Sequence, residues 1–259
     1  MSYFWFIAGA VVGSFLNVLI YRLPRGESII LPPSHCPSCG KSLSPLDLVP
    51  ILGYFLLFGK CRYCRTKISF RYPLVELLSG ANFALIWIFT NGNLFNFFFQ
   101  ALFLSVLIVI FFTDLEQQVI PDEVSVLGIF SGLIYHYFRG IAFPKGFNPF
   151  LSSLFGMLLG YILLYVIGVL GKLIFKKEAM GEGDLYLAAL LGANLGVEGV
   201  MLSLLLAYFL AAAVAMVLLI LGKIKIGQYI PFGPALAVGG VITLFFGKQM
   251  VGWYFSLFL

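Results

Sequence analysis

Apolar positions along this chain gather into roughly eight long stretches, near residues 3–21, 73–90, 97–114, 122–139, 148–171, 184–197, 199–221 and 230–247. A membrane-crossing helix needs about 20 mainly apolar residues. The pattern therefore predicts an all-α polytopic membrane protein of about eight transmembrane helices. The sixth stretch is short and bears glycines, so its limits are the least sharply marked. The tail VGWYFSLFL extends the last span or lies at the interface. One long polar connection, residues 22–72, separates the first span from the rest. The expected organisation is a first transmembrane helix (1–21), a small cytoplasmic loop domain (22–72) and a transmembrane bundle (73–259).

Composition agrees with this and excludes a soluble domain: 61% of residues are hydrophobic, 10% are charged and the mean hydropathy is +1.03. Charge adds an orientation. Eight Lys and Arg residues lie within 22–72, and alternating outward from there puts Lys172, Lys176, Lys177, Lys223 and Lys225 on the same side. Only Arg139, Lys145 and Lys248 fall opposite, 13 against 3, which makes the 22–72 loop cytoplasmic and both termini external. The net charge of +5 then reports topology and affinity for anionic lipid, with no indication of nucleic acid. The first segment has its positive charge after the apolar run, at Arg22 and Arg25, and reads as an uncleaved span.

All four cysteines sit in the long loop, as CPSC (Cys36, Cys39) and CRYC (Cys61, Cys64), separated by 21 residues. Two CxxC turns at this distance match a closed four-thiolate zinc site, structural rather than catalytic. Gly40 after Cys39 suits a turn that needs positive φ. A disulfide pairing fits a reducing cytoplasm poorly, an iron–sulfur cluster is the weaker metal alternative, and His35 reads as a bystander. A loop of about 50 residues has little core, so zinc would supply much of its folding energy. The apolar run PLDLVPILGYFLLFGK between the knuckles is too short to span and is expected to pack on the membrane face or re-enter shallowly.

The acidic residues are few, 11 in 259, yet Asp114 (in FTDLEQQVIPD) and Asp184 (in GEGD) fall where apolar runs meet polar loops. A carboxylate in or near hydrocarbon is costly and usually serves a function. Either aspartate alone could cap a helix. Two on separate helices, placed by the topology at one depth, have the makings of an aspartyl dyad in which one carboxyl holds a proton and the other stays ionised. Asp122 opens the fourth span and reads as an N-cap. Glu116, Glu123 and Glu182 read as solvated charges, and His136 as a packed interior histidine. Glu76 lies inside the second span and is expected to hydrogen-bond within the bundle or support the site. The pairs Gly9/Gly13, Gly128/Gly132, Gly156/Gly160 and Gly192/Gly196 have GxxxG spacing and read as helix contacts.

Taken together, GSFLNVLIYRLPR (13–25), the paired CxxC knuckles, RYPLVELLSG (71–80), FTDLEQQVIPD, GEGD and PFGP (231–234) resemble the bacterial type IV prepilin peptidases. These are bifunctional leader peptidase/N-methyltransferases of the GxGD aspartyl class. The resemblance implies Asp114 and Asp184 as the catalytic pair, with Asp122 outside it. It also implies removal of a short basic leader from prepilin or pseudopilin precursors at the cytoplasmic face of the bacterial inner membrane. Methylation of the new N-terminus from S-adenosylmethionine follows in that family. Tyr186 stands where many members have lysine, which leaves the pair intact but changes what the loop presents to substrate or lipid. The alternatives are a peptidase without methyl transfer, a proton-coupled transporter, which would need ionisable groups at several depths, and a zinc-binding interaction module, which leaves the acidic motifs unexplained. A zinc protease lacks an HExxH motif.

Overall fold

The computed structural model describes all residues except 143–147, 177–179, 226–227, 229 and 257–259. Lys145 and Lys177 of the charge count, and the last three residues of the tail, lie outside the described residues. The order is α1 (Ser2–Arg22), a 3-10 turn (Leu23–Arg25), the short α2 (Leu52–Leu56), α3 (Arg71–Phe89), α4 (Leu94–Gln117), α5 (Asp122–Ala142), α6 (Pro149–Phe175), α7 (Glu182–Ile220) and α8 (Gly233–Ser256). Seven of these helices are long and apolar enough to cross a membrane. The chain is a multi-pass membrane protein, and its tail continues α8 through Ser256.

The eighth predicted span is hidden in α7. At 39 residues this helix would be about 58 Å long if straight, nearly twice the roughly 30 Å of hydrocarbon in a bilayer. It is not straight, because Gly196 has φ 73° and ψ −173°, a conformation open mainly to glycine. Asp184 and Tyr208 stand 12 residues either side of it and interact electrostatically. A continuous helix would hold them about 36 Å apart. The chain therefore doubles back at Gly196, giving a first limb of 182–195 and a second of 197–220. The sequence placed the break one or two residues later.

Two compact units divide the chain, Met1–Val109 and Ile110–Leu259, and α4 runs across the division. In the first unit α1 and α3 pack antiparallel. A Cβ on Gly9 would lie 2.6 Å from the Ser79 carbonyl oxygen, and one on Gly13 would lie 2.7 Å from the Glu76 Cα. Asn17 Nδ2 donates to the Tyr72 carbonyl at 3.1 Å farther along the same seam. Trp5, Trp87 and Phe97 close the other end, with Trp5 and Phe97 ring centroids 4.2 Å apart.

In the second unit the small residues again mark the seams. Gly156 meets Gly192 and Gly196, Gly160 meets Ala188 and Val200, and Gly132 meets Ala193. Gly239 of α8 sits on Ser203 in the returning limb of α7. Lipid-like surroundings give no hydrophobic drive between helices, so close backbone approach and hydrogen bonds must hold them. Ser153 to the Ala193 carbonyl and Asn194 Nδ2 to the Gly128 carbonyl, the latter at 3.0 Å, are such bonds. His136 is packed as expected, its Nε2 2.9 Å from the Asn194 carbonyl oxygen.

Candidate functional site

The four cysteine sulfurs lie within 4.8 Å of one another, and Cys36 Sγ is 3.8 Å from Cys64 Sγ. A tetrahedral ion with bonds of about 2.3 Å to sulfur requires about 3.8 Å between ligands. A disulfide would need about 2.05 Å. The donor set therefore fits zinc in a closed structural site. Each knuckle makes the same bonds. Cys36 N–H donates to the Lys41 carbonyl and Gly40 N–H to the Cys36 carbonyl, while Cys61 N–H donates to Thr66 and Arg65 N–H to Cys61. Both turns end in a left-handed residue, Gly40 at φ 70° and Arg65 at φ 59°. His35 is exposed with Nδ1 on the Pro33 carbonyl, outside the cluster, as expected of a bystander.

Local charge prepares the sulfurs unequally. The Thr66 hydroxyl, 3.3 Å away, and the Thr66 amide pull the Cys64 thiol down to about 6. At Cys39 the Lys41 amide also lowers the thiol, but desolvation and the neighbouring Cys36 and Cys64 sulfurs outweigh it and push it up to about 11. So close a quartet cannot hold four thiolates without a cation.

Two contacts brace the loop that carries the cysteines. The buried Arg22 guanidinium donates to the Ser28 carbonyl at 2.8 Å and the Pro32 carbonyl at 2.7 Å, fixing the lead into the first knuckle. Asp47 accepts Arg62 Nε and Nη2 on one oxygen, both at 2.7 Å, and the Ser44 N–H on the other. Desolvation raises the Asp47 carboxyl, but the Arg62 and Ser44 bonds prevail and hold it below the usual carboxylate range. The inter-knuckle segment forms α2, with Leu52, Phe55, Leu56 and Phe58 exposed as an apolar face.

The first unit also places Glu76. It is the sixth residue of α3 and 8% exposed, and its Oε2 accepts the Ile51 N–H at 2.7 Å. Ile51 has φ 64° and ψ −56°, and Leu52 N–H bonds across it to the Pro50 carbonyl. This is a γ-turn of the rare, strained kind, and a β-branched residue is an outlier there. Glu76 hydrogen-bonds to the long loop and, among the described residues, not to another helix of residues 73–259, its backbone partner lying 25 positions upstream.

The second unit brings Asp114 and Asp184 together. Asp114 stands three residues before the end of α4 and Asp184 is the third residue of α7. Both are only 4% exposed, and they interact electrostatically. Asp114 Oδ2 accepts the Gly233 N–H at 2.9 Å. Gly233 opens α8, so its N–H is one of the free donors at a helix start, on the positive end of the helix dipole. A Cβ on Gly233 would come 2.6 Å from that oxygen, so only glycine allows the approach. Asp184 Oδ2 accepts the Gly181 N–H at 3.3 Å, and a Cβ on Gly183 would press on Ile120 at 2.8 Å. Within GEGD, the first glycine supplies a donor and the second supplies room.

Asp122 is exposed at the first residue of α5, in the first turn where a negative charge complements the helix dipole. Glu116, Glu123 and Glu182 are exposed. Tyr186 is exposed beside Tyr161, with ring centroids 6.2 Å apart. Two residues beside the aspartates escaped the sequence reading. Gly233 lies within PFGP, and its Gly-Pro pair at a helix start is the available signal. Tyr208 interacts with Asp184 and packs on Phe232 at 5.1 Å between ring centroids, but nothing in LLLAYFLA announces it.

Comparison with known proteins gives the family. Residues 7–90 match the bacterial peptidase A24 N-terminal domain, and residues 101–217 match the type IV leader peptidase family. Among curated proteins, a prepilin leader peptidase/N-methyltransferase of Neisseria gonorrhoeae is 34% identical, covering 91% of this chain and 87% of the relative. Proteins of the same name from Aeromonas salmonicida (32% identical; 98% and 94% covered) and Pseudomonas aeruginosa (34%; 96% and 91%) are similar along nearly their whole length. No solved structure matches. With the two family domains, the four-cysteine cluster and relatives of this identity over most of both chains, the protein belongs to the prepilin leader peptidase/N-methyltransferase family.

Proposed function

We propose that this protein is an intramembrane aspartyl endopeptidase whose catalytic pair is Asp114 and Asp184. Its substrates are type IV prepilin or pseudopilin precursors, from which it removes the short basic leader at the cytoplasmic face of the bacterial inner membrane. The observation that carries the reading is the pair itself: two buried carboxylates at the ends of α4 and α7, with Asp114 acting electrostatically on Asp184. Like charges this close favour sharing one proton. The ionised member takes a proton from water as the water attacks the peptide carbonyl, and the protonated member donates to the carbonyl oxygen. The Gly233 N–H holds the Asp114 carboxylate in place for this exchange. The substrate is a basic leader joined to a membrane helix, so its scissile bond naturally rests at the interface where such a pair would sit.

The same chain is inferred to methylate the new N-terminus, the second activity in its relatives' name. S-adenosylmethionine, when bound, would supply the electrophilic methyl group. Zinc held by Cys36, Cys39, Cys61 and Cys64 has a structural part, folding residues 22–72. Cleavage of a prepilin-type peptide in detergent tests the reading. Asp114→Asn and Asp184→Asn should each lose at least about a thousandfold in rate while remaining folded, and Asp122→Asn should keep near-normal activity. Equal cleavage by all the variants would end the aspartyl assignment.

A further inference from the structure

Residues 1–109 contain three carboxylates, Glu27, Asp47 and Glu76. Glu27 is exposed and Asp47 is paired with Arg62. Glu76 is buried and, among the described residues, faces no cation: α1 carries a single charged residue, Arg22, and α3 carries only Arg71 besides Glu76. Arg22 is spent on the Ser28 and Pro32 carbonyls, and Arg71 lies over the Tyr72 ring. The groups that do meet Glu76 are neutral hydrogen-bonding ones, the Ser14 hydroxyl and the Ile51 N–H. Nearby on α1, the buried Asn17 Oδ1 has no hydrogen-bond partner among the described residues, and neither has the buried Ser79 Oγ one turn along α3. Polar groups along this seam are therefore incompletely paired among the described residues.

A buried carboxylate whose one backbone donor comes from a strained turn is poised to exchange that donor for a better one. Releasing Ile51 would relieve a conformation that L-residues avoid. An ammonium group would bring several donors and a charge to the vacated oxygen. Glu76 lies five residues inside α3, about 8 Å along the helix from its first residue. An amine at the start of an apolar helix lying alongside α3 would have to enter only that far to meet it.

We propose that Glu76 is the site in the first unit that receives the new N-terminal ammonium of the cleaved pilin and takes its proton, with the Ile51 N–H holding the place until it arrives. The proposal rests on the methyl-transfer reading above. In the step, the ammonium gives one proton to the Glu76 carboxylate. The freed nitrogen lone pair forms the N–CH3 bond with a sulfonium methyl donor, while the C–S bond breaks and its electrons stay on sulfur as a thioether. The two remaining protons stay on the methylated nitrogen, which carries the positive charge that leaves the sulfonium.

The experiment compares wild type with Glu76→Gln, which keeps an oxygen for the Ile51 N–H and so preserves the turn. Cleavage and methylation of one prepilin peptide are followed together by mass spectrometry. Cleavage and zinc content should be unchanged, while methylation falls by about a hundredfold or more. The deficit should shrink above about pH 8, where an α-amine is already neutral and needs no base. A purely structural role for Glu76 would not produce that recovery. Methylation by Glu76→Gln at the wild-type rate, or a deficit independent of pH, overturns the proposal. Wild type that cleaves but never methylates overturns the reading beneath it instead. A second arm needs neither donor nor variant. Wild type should bind a mature pilin peptide with a free amine at least about tenfold more tightly than its N-acetylated form, and equal binding counts against Glu76 as the receiver.

Discussion

Glu76 in the first unit and Asp114 in the second are each buried near a helix end, and each accepts one backbone N–H from a segment remote in sequence. The donors differ. Ile51 reaches Glu76 from a strained turn, whereas Gly233 reaches Asp114 from the first residue of a long helix, in a position only glycine can occupy. The neighbours differ too, since Asp114 has Asp184 within electrostatic reach and Glu76 has no second carboxylate beside it among the described residues. A fixed donor beside a second acid suits a site that must keep its geometry through many proton transfers. A strained donor beside a lone acid suits a site that must open. The same hydrogen bond thus serves opposite ends, depending on what its donor costs to move.

Gly233→Ala would break the comparison on the rigid side. The added Cβ would lie 2.6 Å from Asp114 Oδ2, so either the carboxylate or the start of α8 must move. Displacements of about 1 Å in a catalytic group commonly cost about a hundredfold in rate. Cleavage should fall by that order, with zinc content unchanged because the cysteines belong to the other unit. Wild-type cleavage by Gly233→Ala would show that the N–H does not position Asp114.

Sequence alone revealed the parts of this protein whose physics is local. The cysteine spacing announces a tetrahedral site because two turns of fixed geometry suffice to build it. Apolar stretches announce spans because a bilayer sets their length, although Gly196 reads in the sequence as a helix contact and the structure makes it a break as well. Asp114 and Asp184 stood out because charge is rare where hydrocarbon begins. What stayed hidden depends on pairing across distance. The Gly233 to Asp114 bond joins residues 119 apart, and the donor is a backbone group that every residue but proline possesses. Nothing in PILGY shows that Ile51 is bent into a γ-turn, because its side chain argues against it. Arg22 was legible as a topogenic charge, but its grip on the Ser28 and Pro32 carbonyls was not.

Ile51→Gly probes the other side with a smaller effect. Removing the β-branched side chain relieves about 1–2 kcal/mol at positive φ, and glycine's extra freedom in the unfolded chain returns about 0.5–1 kcal/mol. The loop should be stabilised by up to about 1 kcal/mol, read as slower amide exchange over residues 44–60. A relaxed turn should also release Glu76 less readily, so methylation should drop a few-fold while cleavage holds. Faster methylation would mean that strain in the turn impedes the reaction.

The smallest effect sharpens the comparison inside the zinc loop, where strain and its absence occur in two copies of one turn. Gly40 and Arg65 occupy equivalent positions, each four residues after the first cysteine of its knuckle and each at positive φ. A Cβ on Gly40 would meet nothing within 4 Å, so Gly40→Ala introduces conformational strain without a clash. It should cost about 1 kcal/mol. Arg65→Gly removes the same strain from the second knuckle and should gain somewhat less, since glycine gives part of it back as entropy. Folding and metal binding are one equilibrium in such a loop, so the two changes should shift its zinc affinity in opposite directions, by about fivefold down and a few-fold up. Competition with a chromogenic chelator reads both. Should Arg65→Gly weaken zinc instead, the arginine side chain contributes more to the second knuckle than its backbone costs, and the two turns are alike in hydrogen bonding only.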